Sequence, residues 1–353
     1  MKLLMKLLPI LAVFLSIPVS LSAAPSPPDG LTGNESLESL SWFERYHDYR
    51  AHVDYLRRLS EAHRSRARIL TVGKSFKKRN IWGIHLFGKS GPRKKPAVVF
   101  FGTAHAREWI TTMVTEYIAS RLLTSYGVSK DVRYALDSFD FYIFPVVNPD
   151  GFVHSQTTHR MWRKNRQKQD GTSCVGRDLN RNWDVHWDDG AGGGASAWPC
   201  HPTYRGHRAF DAPETMALAT ALQAIKQRQG LRLFIDWHSF GQLVMHPYGY
   251  SCDKTLPRFS AAAWLAGELA DAMSKVHGAE YKAGAACELL YATTGDSVDY
   301  AFEVLGADYA YTIELRPGPR ARGGFRLPED QILATAEEAW AGVRHALQFI
   351  HRD

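Results

Sequence analysis

Short apolar runs alternate along the chain with segments whose apolar residues recur at helical spacing. The apolar runs are typical of strands buried on both faces and lie at 68–72, 81–87, 97–102, 141–147, 231–236 and 309–315. Helical spacing occurs at about 44–63, 108–123, 213–227, 258–277 and 328–350. In the first of these helices Val53, Leu56 and Leu59 share one face. Strands that alternate with helices predict an α/β domain with three layers.

Two segments lack this regularity. Asn148-Pro149-Asp150-Gly151 follows the strand at 141–147 and predicts a turn. The stretch from about 151 to 210 is rich in Gly, Asn and Asp and has little periodicity. Long stretches without regular structure are usually functional loops, so we expect binding residues here.

The N-terminus has the pattern of a secretory signal peptide. Two lysines precede the apolar run 7–21, which Pro9 and Pro18 interrupt, and small residues follow at 22–24. We therefore expect a signal peptide over 1–24, cleaved between 22 and 24, with a retained signal anchor as the alternative. Residues 25–41 predict a short flexible lead with a glycosylation sequon at Asn34, too short to fold as an inhibitory pro-domain.

Composition narrows the possible partners. The formal net charge is +7, but the basic residues form separate clusters in turn-like stretches, which favours a solvated surface over a nucleic-acid-binding face. No later apolar run is long enough to span a bilayer, so no membrane partner is expected after signal cleavage. The secretory route is oxidising, so the four cysteines can form two disulfides, and spacing alone leaves three pairings open.

The first chemical signal is a possible metal site. His105 and Glu108 follow the strand at 97–102, and His238 follows the strand at 231–236. A hydrolytic zinc site usually has three protein ligands and an open fourth position for water. His-x-x-Glu alone is a weak signal, because most occurrences are ordinary residues at a helix start.

The order of several motifs makes the signal specific. His105-x-x-Glu108, Asn180-Arg181-Asn182-Trp183, His238-Ser239, Tyr291 and Glu314-Leu315-Arg316 occur in this order. Together they resemble the zinc metallocarboxypeptidase family, in its pancreatic A/B-type branch, over about 42–350. The resemblance implies a single three-layer α/β/α catalytic domain over 42–353 with a mixed, mostly parallel twisted sheet. It also implies a secreted monomer that releases the C-terminal residue of peptides and proteins.

The resemblance implies catalytic roles for matching residues. One zinc ion (Zn2+) per chain would be bound by His105, Glu108 and His238. Asp178 would orient the first histidine through its other ring nitrogen. Glu314 would act as the general base toward water. The remaining catalytic residue is Arg163, which would stabilise the oxyanion of the tetrahedral intermediate.

It also implies a substrate-binding set. Asn180 and Arg181 would grip the terminal carboxylate, Tyr291 would close over it, and Arg107 would also touch substrate. The pocket for the C-terminal side chain would be lined by Met245, Gly249, Ala286, Asp296 and Val298. An aliphatic Val298 predicts a preference for apolar or aromatic residues. Asp296 has two readings, a turn residue facing solvent or a pocket acid that would add activity on basic residues.

Other features follow from the same resemblance. It implies disulfides Cys174–Cys200 and Cys252–Cys287, the first of which would hold the loop carrying the carboxylate-binding pair. It also implies a cis Arg316–Pro317 bond, which proline makes inexpensive. Phe240 stands where the pancreatic enzymes have a tyrosine, so we expect altered subsite packing without loss of activity.

Two alternatives remain. The first is a neighbouring peptidase that cuts unusual bonds, such as those of cell-wall peptides, and it would need a pocket with a different carboxylate grip or floor. The second is a catalytically weak secreted zinc-binding relative that acts as a binding protein. Intact Glu314 and Arg163 favour the enzyme over the binding protein.

Overall fold

The computed structural model describes residues 40–189, 194–254, 256–257 and 260–352 of the 353-residue chain. The predicted signal peptide, the sequon at Asn34 and nearly all of the predicted lead lie outside the described residues. Among the described helices, none combines the length and the apolar character needed to cross a bilayer.

The described residues form one eight-stranded sheet. Its strands are β1 (Ala67–Lys74), β2 (Asn80–Leu86), β3 (Ala97–Gly102), β4 (Asp140–Phe144), β5 (Leu231–Ser239), β6 (Leu243–His246), β7 (Lys282–Ala285) and β8 (Tyr309–Leu315). The spatial order is β1-β2-β4-β3-β5-β8-β6-β7. Strands β4, β3, β5 and β8 run parallel to one another, β6 pairs parallel with β7, and the other neighbours are antiparallel. The expected mixed, mostly parallel sheet is confirmed.

Helices cover both faces of this sheet. They are α1 (Tyr49–Ala62), α2 (Trp109–Thr124), α3 (Lys130–Ser138), α4 (Pro149–Thr157), α5 (Pro213–Gln229), α6 (Ala261–His277), α7 (Ala286–Leu289), α8 (Ser297–Asp299) and α9 (Ile332–Arg352). Cap residues set several of these boundaries. Helix α6, for example, begins after Ser260, whose hydroxyl accepts from the Ala263 amide, and ends at Gly278 in the left-handed conformation.

Two separate cores show why the domain has three layers. Successive strand residues point to opposite faces, so Val98 and Phe100 join one core while Val99 and Phe101 join the other. The first core is completed by α1, α2, α3, α6 and α9, and the second mainly by α5 and the segment after α8. The three-layer α/β/α prediction is confirmed.

The structure differs from the sequence prediction at the end of β4. Residues 148–151 do not form an isolated turn but begin α4. The Asn148 side chain accepts from the Gly151 amide, and Pro149 occupies the first turn, where its missing N–H costs nothing. Asn-Pro is therefore a helix start here, because the following residues continue into a regular helix. Most of the chain between α4 and α5 is irregular, as expected.

Candidate active site

Three neighbouring parallel strands end at one edge of the sheet and carry the candidate residues. His105 and Glu108 follow β3, His238 lies in β5, and Glu314 lies in β8. His238 and Glu314 are direct partners in the register of β5 and β8. Carboxyl ends of parallel strands are where open α/β sheets place ligands, so the strand order itself brings these side chains together.

The turn after β3 is held in an unusual backbone conformation. Thr103 has a φ of 57°, and its hydroxyl lies 2.9 Å from the Thr111 hydroxyl and 2.6 Å from the Thr112 hydroxyl. The Asn148 side-chain amide donates to the Ala104 carbonyl at 3.0 Å. These contacts tie the turn to α2 and α4, so the side chains of the turn are held in fixed directions.

His105, Glu108 and His238 form the one described group of side chains arranged to hold a metal ion, with ligand atoms all within 4.8 Å of one another. The two Nδ1 atoms are 3.0 Å apart. Glu108 places Oε1 2.9 Å from His105 Nδ1 and Oε2 3.1 Å from His238 Nδ1. All three residues are buried.

The other ring nitrogens identify the tautomers. His105 Nε2 lies 3.1 Å from Asp178 Oδ1, and His238 Nε2 lies 3.1 Å from Asp236 Oδ2. A carboxylate at Nε2 keeps the proton there, so both Nδ1 atoms direct lone pairs into the cluster. Two lone pairs and a carboxylate that converge in a buried space can hold a cation, and two His and one Glu suit zinc. The residues present therefore fit the metal.

The charge state of the surrounding carboxyls follows from their neighbours. Burial alone would raise the pKa of Glu108, but in the protein without a metal the contacts of its carboxyl with His105 and His238 lower that pKa overall. Burial likewise opposes ionisation of Asp178, but Arg163 and His105 lower the pKa of that carboxyl well below its ordinary value. Both groups are therefore carboxylates at neutral pH.

Glu314 has the opposite environment. Burial, together with the negative charge of Glu108, raises the pKa of Glu314 to about 8. Its Oε2 is buried and has no hydrogen-bond partner within the described residues. A carboxyl with an open oxygen beside the cluster is placed to exchange a proton with a water molecule there.

Asp178 links the metal cluster to Arg163. Its Oδ2 accepts from Arg163 Nε at 2.9 Å and from Nη2 at 2.8 Å, while its Oδ1 faces His105. The Asn180 amide donates to the same Oδ1 at 3.0 Å. One buried carboxylate thus positions a possible metal ligand and the candidate oxyanion-stabilising cation.

Asp236 and Ser297 are positioning residues that sequence reasoning missed. The Ser297 hydroxyl donates to Asp236 Oδ2 at 2.5 Å, and the backbone amide of Ser297 donates to Asn180 Oδ1 at 2.9 Å. The available signal was the spacing of Asp236 and His238, which lie two residues apart on one face of the strand directly after the apolar residues 233–235. An acid at such a position needs a partner, and the histidine is that partner.

The candidate carboxylate-binding residues lie beside the cluster in the same pocket. Arg181 is buried, its Nε donates to the Gly194 carbonyl at 2.8 Å, and its Nη2 lies 3.4 Å from the Tyr291 hydroxyl. Tyr291 is 48% exposed, so it stands at the mouth of the pocket. Asn180 lines the pocket with Arg163, the two histidines and Glu314.

The far end of this pocket is apolar with a buried acid. Val298 and Met245 line it and are 3% and 1% exposed. Asp296 also lines it and is buried, accepting from the amides of Val298 and Asp299. The reading of Asp296 as a solvent-facing turn residue is therefore wrong, because the carboxylate caps α8 from inside. A side chain at Gly249 would come within 2.7 Å of Asp296 Oδ2, so glycine keeps this end open.

The remaining predicted features are found around the pocket. Gly249 and Ala286 line it as well. The disulfides are Cys174–Cys200 and Cys252–Cys287, and the Arg316–Pro317 bond is cis, as expected. Arg107 is not among the lining residues of this pocket; it lines an adjacent groove and lies with its guanidinium 3.8 Å from the centre of the Phe325 ring.

Comparison with known proteins agrees with this geometry. The family model described as zinc carboxypeptidase matches residues 52–342. The chain is 47% identical over 305 residues to metallocarboxypeptidase A of Arthroderma otae (86% of this chain, 71% of that protein) and 36% identical over 308 residues to carboxypeptidase A2 of Rattus norvegicus (87% and 71%). The crystal structure of carboxypeptidase A from Helicoverpa armigera superposes with a TM-score of 0.80 at 29% identity, covering 91% of this chain and 77% of that one. The chain therefore belongs to the zinc carboxypeptidase family, as a metallocarboxypeptidase.

Proposed function

We propose that the protein is a secreted monomeric exopeptidase that hydrolyses the C-terminal peptide bond of peptides and proteins with one zinc ion per chain. The observation that carries this proposal is the single pocket in which His105, His238 and Glu314 stand beside the buried Arg181. A buried guanidinium at the end of a pocket can bind a free carboxylate. A peptide has a free main-chain carboxylate only at its C-terminus, so this group would select the last peptide bond over internal ones.

The carboxylate grip combines three groups. Arg181 supplies a planar guanidinium whose orientation is fixed by the Gly194 carbonyl, and Asn180 lies next to it in the chain. Tyr291, half exposed at the mouth, closes over the carboxylate once it is bound. A buried guanidinium is preorganised, so little side-chain entropy is lost on binding.

The reaction would be divided between the metal ion and two side chains, Glu314 and Arg163. His105, Glu108 and His238 would hold the zinc ion, which when bound would lower the pKa of a water and polarise the scissile carbonyl. Glu314, whose Oε2 has no hydrogen-bond partner among the described residues, takes the proton from the attacking water and returns it to the departing amine. Arg163, held by Asp178, donates to the oxygen on which negative charge develops.

The pocket favours apolar or aromatic C-terminal side chains. Val298 and Met245 line the pocket with apolar surface. Burial of an apolar substrate side chain against this surface contributes about 1.5–3 kcal/mol to binding. Asp296 gives weaker activity on Lys or Arg, because Oδ1 is occupied by two amides and Oδ2 keeps accepting capacity. Burial raises the pKa of Asp296, which further limits its charge.

The decisive experiment compares blocked dipeptides ending in Phe, in Arg and in Phe-amide. We expect release of free Phe at the highest kcat/KM, slower release of Arg, and no cleavage of the amide, with all activity lost to a zinc chelator and restored by zinc. Cleavage of the amide would contradict the carboxylate grip, and binding without release would indicate a binding protein. A strict preference for Arg would contradict the role of Val298.

The matched variant pair for specificity is Asp296→Gly and Val298→Asp. The first should abolish Arg release while Phe release persists, and the second should reverse the preference. Unchanged Arg release in Asp296→Gly would show that this carboxylate does not contact the substrate.

Secretion rests on the N-terminal pattern and agrees with the two disulfides, which form in oxidising compartments. Expression of the full chain in a secreting host should yield a mature N-terminus at residue 23 or 24. Retention of the apolar N-terminus in the product would contradict the signal peptide.

A further inference from the structure

A second groove opens beside the catalytic pocket. Arg163 lines both, so the two are adjacent across its side chain. Arg107 lines one part of the groove, and the Cys174–Cys200 disulfide lines another together with Ser173. None of the residues assigned above to the catalytic reaction, other than Arg163, lines this groove.

The groove is positively charged. Four basic side chains line it, those of Arg107, Arg163, Lys164 and Arg166, and no lining residue is acidic. Asp178, which does not line the groove, forms an ion pair with Arg163. Within the part of the chain that the structure describes, Arg107 and Arg166 form no ion pair, and the Nε of each is buried without a hydrogen-bond partner. Arg107 and Arg166 therefore contribute positive charge that no direct ion pair among the described residues neutralises.

Two aromatic contacts fix the orientation of these guanidinium groups. Arg166 lies with its guanidinium carbon 4.3 Å from the centre of the Trp162 ring, and Arg107 lies 3.8 Å from that of Phe325. A guanidinium that lies on an aromatic face keeps its N–H edge free for an anion. The stacked Arg107 and Arg166 guanidiniums thus present planar N–H groups to the groove, and their geometry matches the two oxygens of a carboxylate.

Two nearby groups leave this positive charge in place. Asp150, the acid that acts on Arg166, already pairs with Arg79 at 2.7 Å. Burial, together with the charges of Arg166 and Lys77, lowers the pKa of His154 in the groove to about 4. This histidine is neutral at pH 7 and leaves the arginines and Lys164 as the charges in the groove.

The position of the groove suggests its occupant. Arg163, the proposed oxyanion-stabilising residue, lines both the catalytic pocket and this groove, so a peptide whose C-terminal residue fills the pocket would pass its preceding residues along the groove. We propose that the groove binds acidic residues of the substrate on the N-terminal side of the scissile bond. This inference rests on the proposed exopeptidase function and adds a preference for acidic peptides.

The test uses pairs of peptides with the same length and C-terminal Phe, carrying Glu or Gln at each upstream position in turn. We expect kcat/KM to be about threefold to tenfold higher for Glu at one or more positions, through a lower KM. The difference should disappear at about 1 M salt, where charges are screened beyond about 3 Å. Equal rates for every pair at low salt would overturn the proposal while leaving the exopeptidase function intact.

Variants separate the groove from the general charge of the protein. Arg166→Gln and Ser173→Asp should each remove the preference for Glu, whereas Ser173→Asn should keep it. Lys275→Gln on α6, which removes one positive charge from an exposed side chain, should also keep it. If Arg166→Gln lowers kcat/KM equally for Glu and Gln peptides, or if Lys275→Gln removes the preference, the groove does not recognise acidic residues.

Failure of the proposed function would look different. Should no peptide and no blocked dipeptide release its C-terminal residue, the exopeptidase assignment itself would fall, and with it this inference. Hydrolysis of the blocked dipeptide ending in Phe, which is too short to carry an upstream acid, establishes the reaction independently of the groove.

Discussion

Replacing Asp236 tests the structural account of the metal site at a residue that touches neither metal nor substrate. Its buried Oδ2 faces His238 Nε2 at 3.1 Å and accepts from the Ser297 hydroxyl at 2.5 Å. In Asp236→Asn the amide oxygen can still accept both bonds, but the charge is lost. In Asp236→Ala both donors lose their acceptor.

The two variants differ in expected magnitude. A hydrogen bond to a charged group is about twice as strong as a neutral one, so Asp236→Asn should cost about 1 kcal/mol, or about fivefold in zinc affinity. Asp236→Ala also frees the ring of His238 to turn, and removal of such a partner costs about 10–100-fold in metal affinity. Ser297→Ala keeps the contact between Asp236 and His238, so its affinity should stay within about threefold of wild type.

The assay is competition for zinc between the metal-free protein and a coloured chelator of known affinity. Thermal unfolding of each metal-free variant checks that the fold is intact. If folded Asp236→Ala binds zinc as tightly as wild type, His238 does not depend on this carboxylate, and the assignment of Nδ1 as the metal-facing atom would lose its main support.

Three further predictions concern catalysis and stability. Glu314→Gln should retain one zinc per chain by metal analysis but lower kcat about 10²–10⁴-fold, because an amide cannot accept the proton; a kcat within tenfold of wild type would contradict this role. Replacing Cys174 and Cys200 by Ser removes a disulfide between residues 26 apart and should lower the free energy of unfolding, measured in urea, by about 3 kcal/mol. An unchanged urea midpoint would contradict this stabilising role. Burial and, to a smaller extent, the charge of Asp296 raise the pKa of Asp299 well above its ordinary value, so the folded state favours the protonated carboxyl. The contribution of Asp299 to the free energy of unfolding is therefore complete below about pH 3.9 and is lost as pH rises. Asp299→Asn should therefore gain stability relative to wild type by up to about 1.4 kcal/mol per pH unit above that point, and parallel pH profiles in unfolding experiments would refute this.

Sequence patterns located the metal-binding candidates well because these depend on local features. His105 and His238 each stand at the end of an apolar run, and Glu314 is next to last in another. Parallel strands bring their carboxyl ends to one edge, so the position of a residue in its own strand already indicates the edge at which it lies. The choice of Glu108 and of the carboxylate-binding pair needed the family resemblance, since His-x-x-Glu is common in helices.

Weak local signals account for what the sequence did not indicate. Strands β6 and β7 have four residues each, too few for a periodic pattern, and β7 reads Lys-Ala-Gly-Ala. Asn-Pro-Asp-Gly is compatible both with a turn and with a capped helix start. The residues that follow it decide between the two, because only a helix that packs on the core is stable at this length.

The sequence by itself determined the α/β class, the strand ends that bear the metal-binding candidates and the order of the family motifs. Only the tertiary structure decided which charges meet. It placed Asp236 against His238, turned Asp296 inward, and gathered Arg107 and Arg166 beside Arg163. The physical reason is that periodicity reports the face on which a residue lies, whereas an electrostatic partner is set by strand order and by loops that approach from distant parts of the chain.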